Sequence, residues 1–173
     1  MRHVVEAIDA ESLLAGDERA HKSELRLWLR MLSATNLIST AIRRNLHRAF
    51  NVTLPQFDLL AQLERAPQGL RLGELSKRMM VTNGNVTALV DKLVEQGFVV
   101  REAACEDRRA MNVRMTKAGA SLFAVMAKAH EGWMADLFAD VPRQARATLM
   151  RELELVKRSV RSKTGDGGAK ARA

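Results

Sequence analysis

The chain has 173 residues, 47% of them hydrophobic, and carries a formal net charge of +8 from 28 lysines and arginines against 20 acids. That length suits one ordinary domain with a real core, excludes two large ones, and the composition excludes a disordered chain. One cysteine and four scattered histidines allow no internal disulfide and suggest neither a metal site nor a cofactor, whereas the positive surplus favours a polyanionic partner, most often nucleic acid.

Residues 1–22 are acidic, with Glu6, Asp9, Glu11, Asp17 and Glu18, and lack the basic-then-apolar layout of a signal peptide. They are expected to form a loosely attached arm, with a short helix around Ala10–Leu14. No run approaches the roughly 18 apolar residues of a membrane span. A cytoplasmic protein with no membrane partner is the expectation.

From about Ser23 to Phe50 the chain has neither Gly nor Pro and predicts a long helix. Leu25, Leu27, Trp28, Leu29, Met31, Leu32, Leu37 and Ile38 make its first half apolar nearly all round. Only Arg26, Arg30 and Ser33 form a polar stripe. Such a helix is buried on more than one side, and in a chain this size the second covering surface suggests another subunit.

Thr53-Leu-Pro-Gln56 predicts a helix start, a capping box with Pro in the first turn, and the helix ends before Pro67-Gln-Gly69. A short helix is expected over Gly73–Met80, with Leu72, Leu75 and Met79 on its inner face. Thr82 then caps a helix from about Asn83 to Gln96, whose inner positions are Val86, Leu89, Val90, Leu93 and Val94. Gly97 stops it.

Phe98–Ala103 and Ala110–Met115 read as two strands, the second turning Met111, Val113 and Met115 inward and Asn112 and Arg114 outward. Thr116 caps another long helix with Leu122, Val125, Met126, Ala129, Trp133 and Leu137 on one side. Asp140-Val-Pro142 opens the last helix. Its Leu149, Leu153, Val156 and Val160 suit packing against a partner helix. Residues 163–173 read as a flexible basic tail.

Two short helices followed at once by a hairpin describe a winged helix, in which the second helix enters the major groove of DNA. Asn83, Asn85 and Thr87 are short, uncharged donors and acceptors able to meet base edges. Thr82 and the helix N-terminus can hold a phosphate, and Lys92 can reach the backbone further along. Each feature also has a plain structural role, since Thr and Asn are ordinary caps and a polar face is usually just solvated. The same order of elements occurs in winged helices that bind proteins.

The stretch from Leu54 to Gly119 resembles the multiple-antibiotic-resistance regulator (MarR) family of winged-helix repressors. The matching pieces are "LPQFDLLAQL", "LGELSKRMMVTNGNVTALVDKLVEQGFVVRE" and "EDRRAMNVRMTKAG", the last carrying the family's Asp-Arg-Arg tip, a strand and a Thr-x-x-Gly helix start. The resemblance implies a mainly α fold with a small β-hairpin wing. Its winged helix-turn-helix domain (53–116) is flanked by N- and C-terminal dimerisation helices (23–52 and 117–162).

It further implies a homodimer on a pseudo-palindromic double-stranded DNA operator, one winged helix per half-site. Arg108 becomes the wing-tip residue for the minor groove, with Arg109 beside it at the DNA. Asp107 braces the tip by charge-assisted hydrogen bonds. The chain departs from the family's pattern twice. Ala88 stands where many relatives place an arginine, and Ala104-Cys105-Glu106 replaces a common Asp-Pro, which puts one contact and the rigidity of the tip in doubt.

Family members usually lose DNA affinity when a small molecule binds between the dimerisation and winged domains. Trp28, Met31, Leu32, Thr35, Asn36, Phe57 and Trp133 are the candidates here, although such residues at helical spacing are more often core. The segment "LRLWLRMLSATNLI" before "LPQFDLLAQL" looks like the branch that represses aromatic-acid catabolism, including sensors of benzoyl- or hydroxycinnamoyl-CoA thioesters. A repressor released by a small aromatic acid or its CoA thioester is therefore expected, with Arg43, Arg44 or Arg48 available to CoA phosphates. Thiol-based sensors of the family pair an N-terminal cysteine with tyrosines, but this chain has no tyrosine and Cys105 lies in the wing.

An enzyme finds little support, for there is no phosphate-binding glycine loop, no nucleophile elbow and no paired acids with a suitable histidine. The alternative is a helix-rich winged-helix protein-interaction module without sequence-specific DNA binding.

Overall fold

The computed structural model describes residues 23–103 and 111–165, six helices and a small antiparallel sheet. In chain order these are α1 (Ser23–Phe50), α2 (Leu54–Glu64), β1 (Leu70–Arg71), α3 (Leu72–Met79), α4 (Asn83–Glu95), β2 (Val99–Ala103), β3 (Met111–Met115), α5 (Lys117–Leu137) and α6 (Arg143–Thr164). The chain divides into two compact units, residues 1–131 and 132–173, the division falling within α5.

The first unit is built around leucines and valines of the short helices. Leu59, Leu60 and Leu63 of α2, Leu75 of α3, and Val86, Val90 and Leu93 of α4 are buried, and Ile42 and Leu46 join them from α1. Val99 and Val113 close the core from the sheet. The capping box at Thr53 forms as the spacing requires: its hydroxyl accepts from the Gln56 N–H, while the Gln56 side chain accepts from the Thr53 N–H. Such a cap stabilises a helix by about 1 kcal/mol.

The sheet holds a strand that the sequence does not announce. Its order is β1-β3-β2, both pairings antiparallel, with Leu70 opposite Val113 and Val99 opposite Met115. β1 is two residues long, too short for any alternation to declare it. Gly69, at φ +84°, delivers the chain to this pairing against the Val113 carbonyl, where a Cβ would stand only 2.8 Å from the oxygen.

β3 also departs from the expected alternation. Val113 is fully buried, but Met111 is 44% exposed. β1 ends opposite Asn112, so the strand is paired on one side only at Met111, and the core beneath it has already run out. Val94 and Val125, expected on inner faces, are likewise exposed, whereas Leu93 and Met126 next to them are buried. Leu137 at the end of α5 is exposed as well, so the inner arc of each helix is narrower than the apolar pattern.

In the first four turns of α1 the apolar side chains lie open: Leu25, Leu27, Trp28, Leu32 and Leu37 are exposed. In the second unit α6 starts after Pro142 and exposes Leu149, Met150, Leu153, Leu155 and Val160. It runs through Thr164 to a left-handed Gly165, so two residues expected in the tail are helical. Among the described residues no helix is long and apolar enough to cross a membrane, and no cluster of histidine, cysteine or carboxylate ligands could hold a metal.

Candidate nucleic-acid interface

α3 and α4 are joined by a turn of three residues, Met80 to Thr82. Met80 takes the left-handed conformation, and the Ser76 hydroxyl donates to the Val81 carbonyl at 2.6 Å. The Val81 N–H returns a bond to the Ser76 carbonyl at 3.2 Å. The turn is thus pinned from α3 through both the N–H and the carbonyl of one residue.

α4 begins where Thr82 caps it, its hydroxyl accepting from the Asn85 N–H at 3.4 Å. The Thr87 hydroxyl donates back to the Asn83 carbonyl at 3.0 Å. Both threonine hydroxyls therefore have work within the helix, the Thr82 cap as the sequence leads one to expect and the Thr87 bond unannounced by it. The carboxamides of Asn83 and Asn85 are exposed, as is Lys92 two turns on. Gly84 lies between the two asparagines, and a Cβ there would meet nothing within 4 Å. The first turn of α4 accordingly offers orphan backbone N–H groups and two carboxamides with open approach. Ala88 is exposed on the same helix and adds no charge.

The hairpin is tied to α4 and braced internally by ion pairs. Arg101 of β2 meets Asp91 of α4 at 2.6 Å. Across the hairpin Arg114 donates to both carboxylate oxygens of Glu102, at 3.0 and 2.5 Å. That fork holds the Glu102 carboxyl below its ordinary value and raises the Arg114 guanidinium. Neither pair was among the sequence candidates, because a register must be known before residues 10 or 12 apart can be matched. Asp107, Arg108 and Arg109, and Cys105 with them, lie outside the described residues.

The expected ligand residues fall into separate places. Trp28, Met31, Leu32, Thr35 and Asn36 share one face of α1 by helical spacing, and all but half-buried Met31 are exposed. Phe57 is buried on α2, where no ring contact or hydrogen bond ties it to those five. Its ring instead meets Phe123 at 5.5 Å and His130 at 5.0 Å, both from α5 and both tilted by 34°. Asp58 is exposed, yet desolvation pushes its carboxyl above the ordinary value, with His130 pulling the other way. Phe123, His130 and Asp58 escape sequence reasoning because helix-to-helix contacts are not periodic in the chain. Trp133 is half-buried in the second unit.

Residues 50–110 match the family model described as MarR family. The transcriptional activatory protein BadR of Rhodopseudomonas palustris is 31% identical over 124 residues, covering 69% of this chain and 70% of that protein. The crystal structure of a MarR family transcriptional regulator from Silicibacter pomeroyi superposes with a TM-score of 0.72 at 32% identity, over 83% of this chain and 99% of that one. CouR from Rhodococcus jostii, solved bound to p-coumaroyl-CoA, shares the fold at a TM-score of 0.66 and 18% identity, over 75% of this chain and 90% of its own.

Proposed function

The chain belongs to the MarR family of transcriptional regulators, not enzymes, and from that premise we propose that it binds a pseudo-palindromic operator as a homodimer and represses transcription until a small aromatic acid or its CoA thioester releases it. The observation that carries the DNA-binding part is the first turn of α4. Two exposed carboxamides, Asn83 and Asn85, flank an open glycine at a helix N-terminus, next to a hairpin whose tip sequence holds two arginines. Asparagine carboxamides pair with adenine edges in the major groove, and arginine suits the negative potential of a narrow minor groove. Thr82 and Thr87 contribute through the lone pairs their helix bonds leave, Lys92 through a phosphate, and Arg108 and Arg109 through the tip that Asp107 braces.

Residues 53–116 form the DNA-binding domain in this proposal, and 23–52 with 117–162 the dimerisation helices. The exposed apolar side chains of α1 and α6 supply the surface a second copy would cover. The regulator acts in the cytoplasm, where its operator is. For the effector, the support is an aromatic group at Phe57 with His130 beside it, together with CouR's bound thioester. Trp28, Met31, Leu32, Thr35 and Asn36 of α1 complete the proposed ligand contacts of the first unit, and Trp133 is the candidate that the second unit carries. Activation is the second possibility for the sign of control, because BadR carries the name of an activatory protein.

The test is a mobility shift with the DNA upstream of the protein's own gene, with and without aromatic acids and their CoA thioesters. Binding should weaken steeply with salt, since each neutralised phosphate releases counterions. A shift relieved by no aromatic compound removes the effector class, and no shift at all, even on a random duplex pool, leaves a protein-interaction module.

A further inference from the structure

Met80 is the most exposed large apolar side chain among the described residues, at 93%, and it occupies a left-handed backbone at φ 56°, ψ 39°. That conformation brings Cβ close to the following carbonyl, and glycine would adopt it without penalty. The backbone is accounted for as the cap of α3, its N–H donating to the Lys77 carbonyl and that of Val81 to the Ser76 carbonyl, but the side chain packs against almost nothing. Met80 stands in the turn that leads directly into α4, the helix proposed to enter the major groove.

The surroundings say which ligand. Ser76 fixes the turn through the N–H and the carbonyl of Val81, so the thioether projects from a rigid base rather than a loose loop. Val81, 37% exposed, extends the apolar spot towards the Thr82 cap. The exposed carboxamides of Asn83 and Asn85 follow within one turn. An apolar step bordering carboxamides matches an A·T-containing major groove, where the thymine C5-methyl is the apolar group on show and adenine offers its edge to asparagine. An unbranched thioether adapts to a methyl better than a branched side chain can.

We propose that Met80 is a specificity-determining residue that reads one thymine methyl beside the bases met by the start of α4. This rests on the DNA-binding proposal and adds to it a base preference set from the turn rather than from the helix.

The experiment replaces thymine by deoxyuridine, one position at a time, in a duplex enriched from a random pool by the full-length protein. The wild type should lose about four-fold in affinity at one thymine position, the weight of one buried methyl. Met80→Ala should bind the parent duplex more weakly and show no further loss at that position, while its response at every other thymine is unchanged. Met80→Gly should behave alike, and since glycine suits this backbone the loss cannot be laid to misfolding. Wild-type sensitivity that survives both substitutions, or no sensitive thymine at all, overturns the role of Met80 while leaving DNA binding intact. Failure to enrich any duplex overturns both.

Discussion

Gly119, in the first turn of α5, lies so close to the backbone of Phe98 that a Cβ there would overlap the Phe98 carbonyl oxygen and stand 2.9 Å from Cγ of Met115. Thr116 explains the closeness. Its N–H donates to the Phe98 carbonyl at 3.0 Å, its hydroxyl donates to the Gly97 carbonyl at 2.8 Å, and the same oxygen accepts from the Gly119 N–H at 3.0 Å. The Thr-x-x-Gly start of α5 is therefore a clasp on the junction between α4 and β2. Gly119→Ala must open that clasp against backbone that cannot yield, and should destabilise the fold by about 2–3 kcal/mol. Gly73→Ala, in a helix position with open space, should instead add up to ~1 kcal/mol. Urea unfolding of the pair decides it, and equal effects would refute the clasp.

Gln56 couples a cap to a second helix. Its Oε1 accepts from the Thr53 N–H and hydroxyl, both at 3.0 Å, while its Nε2 donates to Oε1 of Gln96 at the end of α4 at 3.1 Å. The side chain is 1% exposed, so the amide has no water to turn to. Gln56→Glu keeps the acceptor towards Thr53 but sets an oxygen against the Gln96 oxygen. The expected loss is about 1–2 kcal/mol, and Gln96→Lys in the same background should recover part of it by supplying a donor. Additive losses in this double-mutant cycle would show that the two residues do not interact.

Asp58 supplies a pH dependence. Partial desolvation, opposed by His130, holds its folded value above the ordinary 3.8 although the residue is exposed, so the native chain keeps a proton that the unfolded chain has already released. Stability contributed by this group is greatest below the ordinary value and declines as pH rises to the folded one. Asp58→Asn cannot titrate, so the melting temperature of the variant should gain on the wild type across that window and hold its lead at neutral pH. Parallel melting curves at all pH values would exclude desolvation of Asp58.

Much of this is legible in the sequence because it is local. The Thr53 box, the Thr82 cap and the stop at Gly97 each depend on neighbours within four residues, and all three stand where the spacing puts them. β1 is not legible, since two residues carry no period, and its pairing exists only because Gly69 turns Leu70 towards Val113. The same limit hides Phe123 and His130, which reach Phe57 from a helix more than sixty positions away. Met80 reads in the sequence as the end of a helix, as nothing in its type announces a left-handed turn.

The Asp91–Arg101 pair joins the proposed recognition helix to the wing at 2.6 Å, with both side chains partly exposed. An exposed pair of this kind adds less than about 1 kcal/mol to stability. Its effect on DNA affinity should be larger, because the helix and the hairpin must present their DNA-facing groups in one geometry. Arg101→Ala should leave the unfolding midpoint almost unchanged and lower operator affinity several-fold, and the charge reversal Asp91→Arg with Arg101→Asp should restore part of it. A drop in the unfolding midpoint as large as the drop in affinity would assign the pair to stability alone.

Arg108 gives the sharpest test of the wing. If its guanidinium enters a minor groove, Arg108→Ala removes an interaction worth about 10-fold in affinity and leaves the apolar surfaces of α1 and α6 untouched. The variant should match the oligomeric state of the wild type by sedimentation while the mobility shift moves to higher protein concentration. Its salt dependence should also flatten, by close to one unit of slope for each phosphate that the variant leaves unneutralised. Arg108→Lys separates the two contributions, keeping the charge but not the planar fork. A lysine variant equal to wild type would mean that the tip contributes charge alone. Unchanged binding by the alanine variant would remove Arg108 from the mechanism and leave α4 and the Met80 turn as the source of specificity.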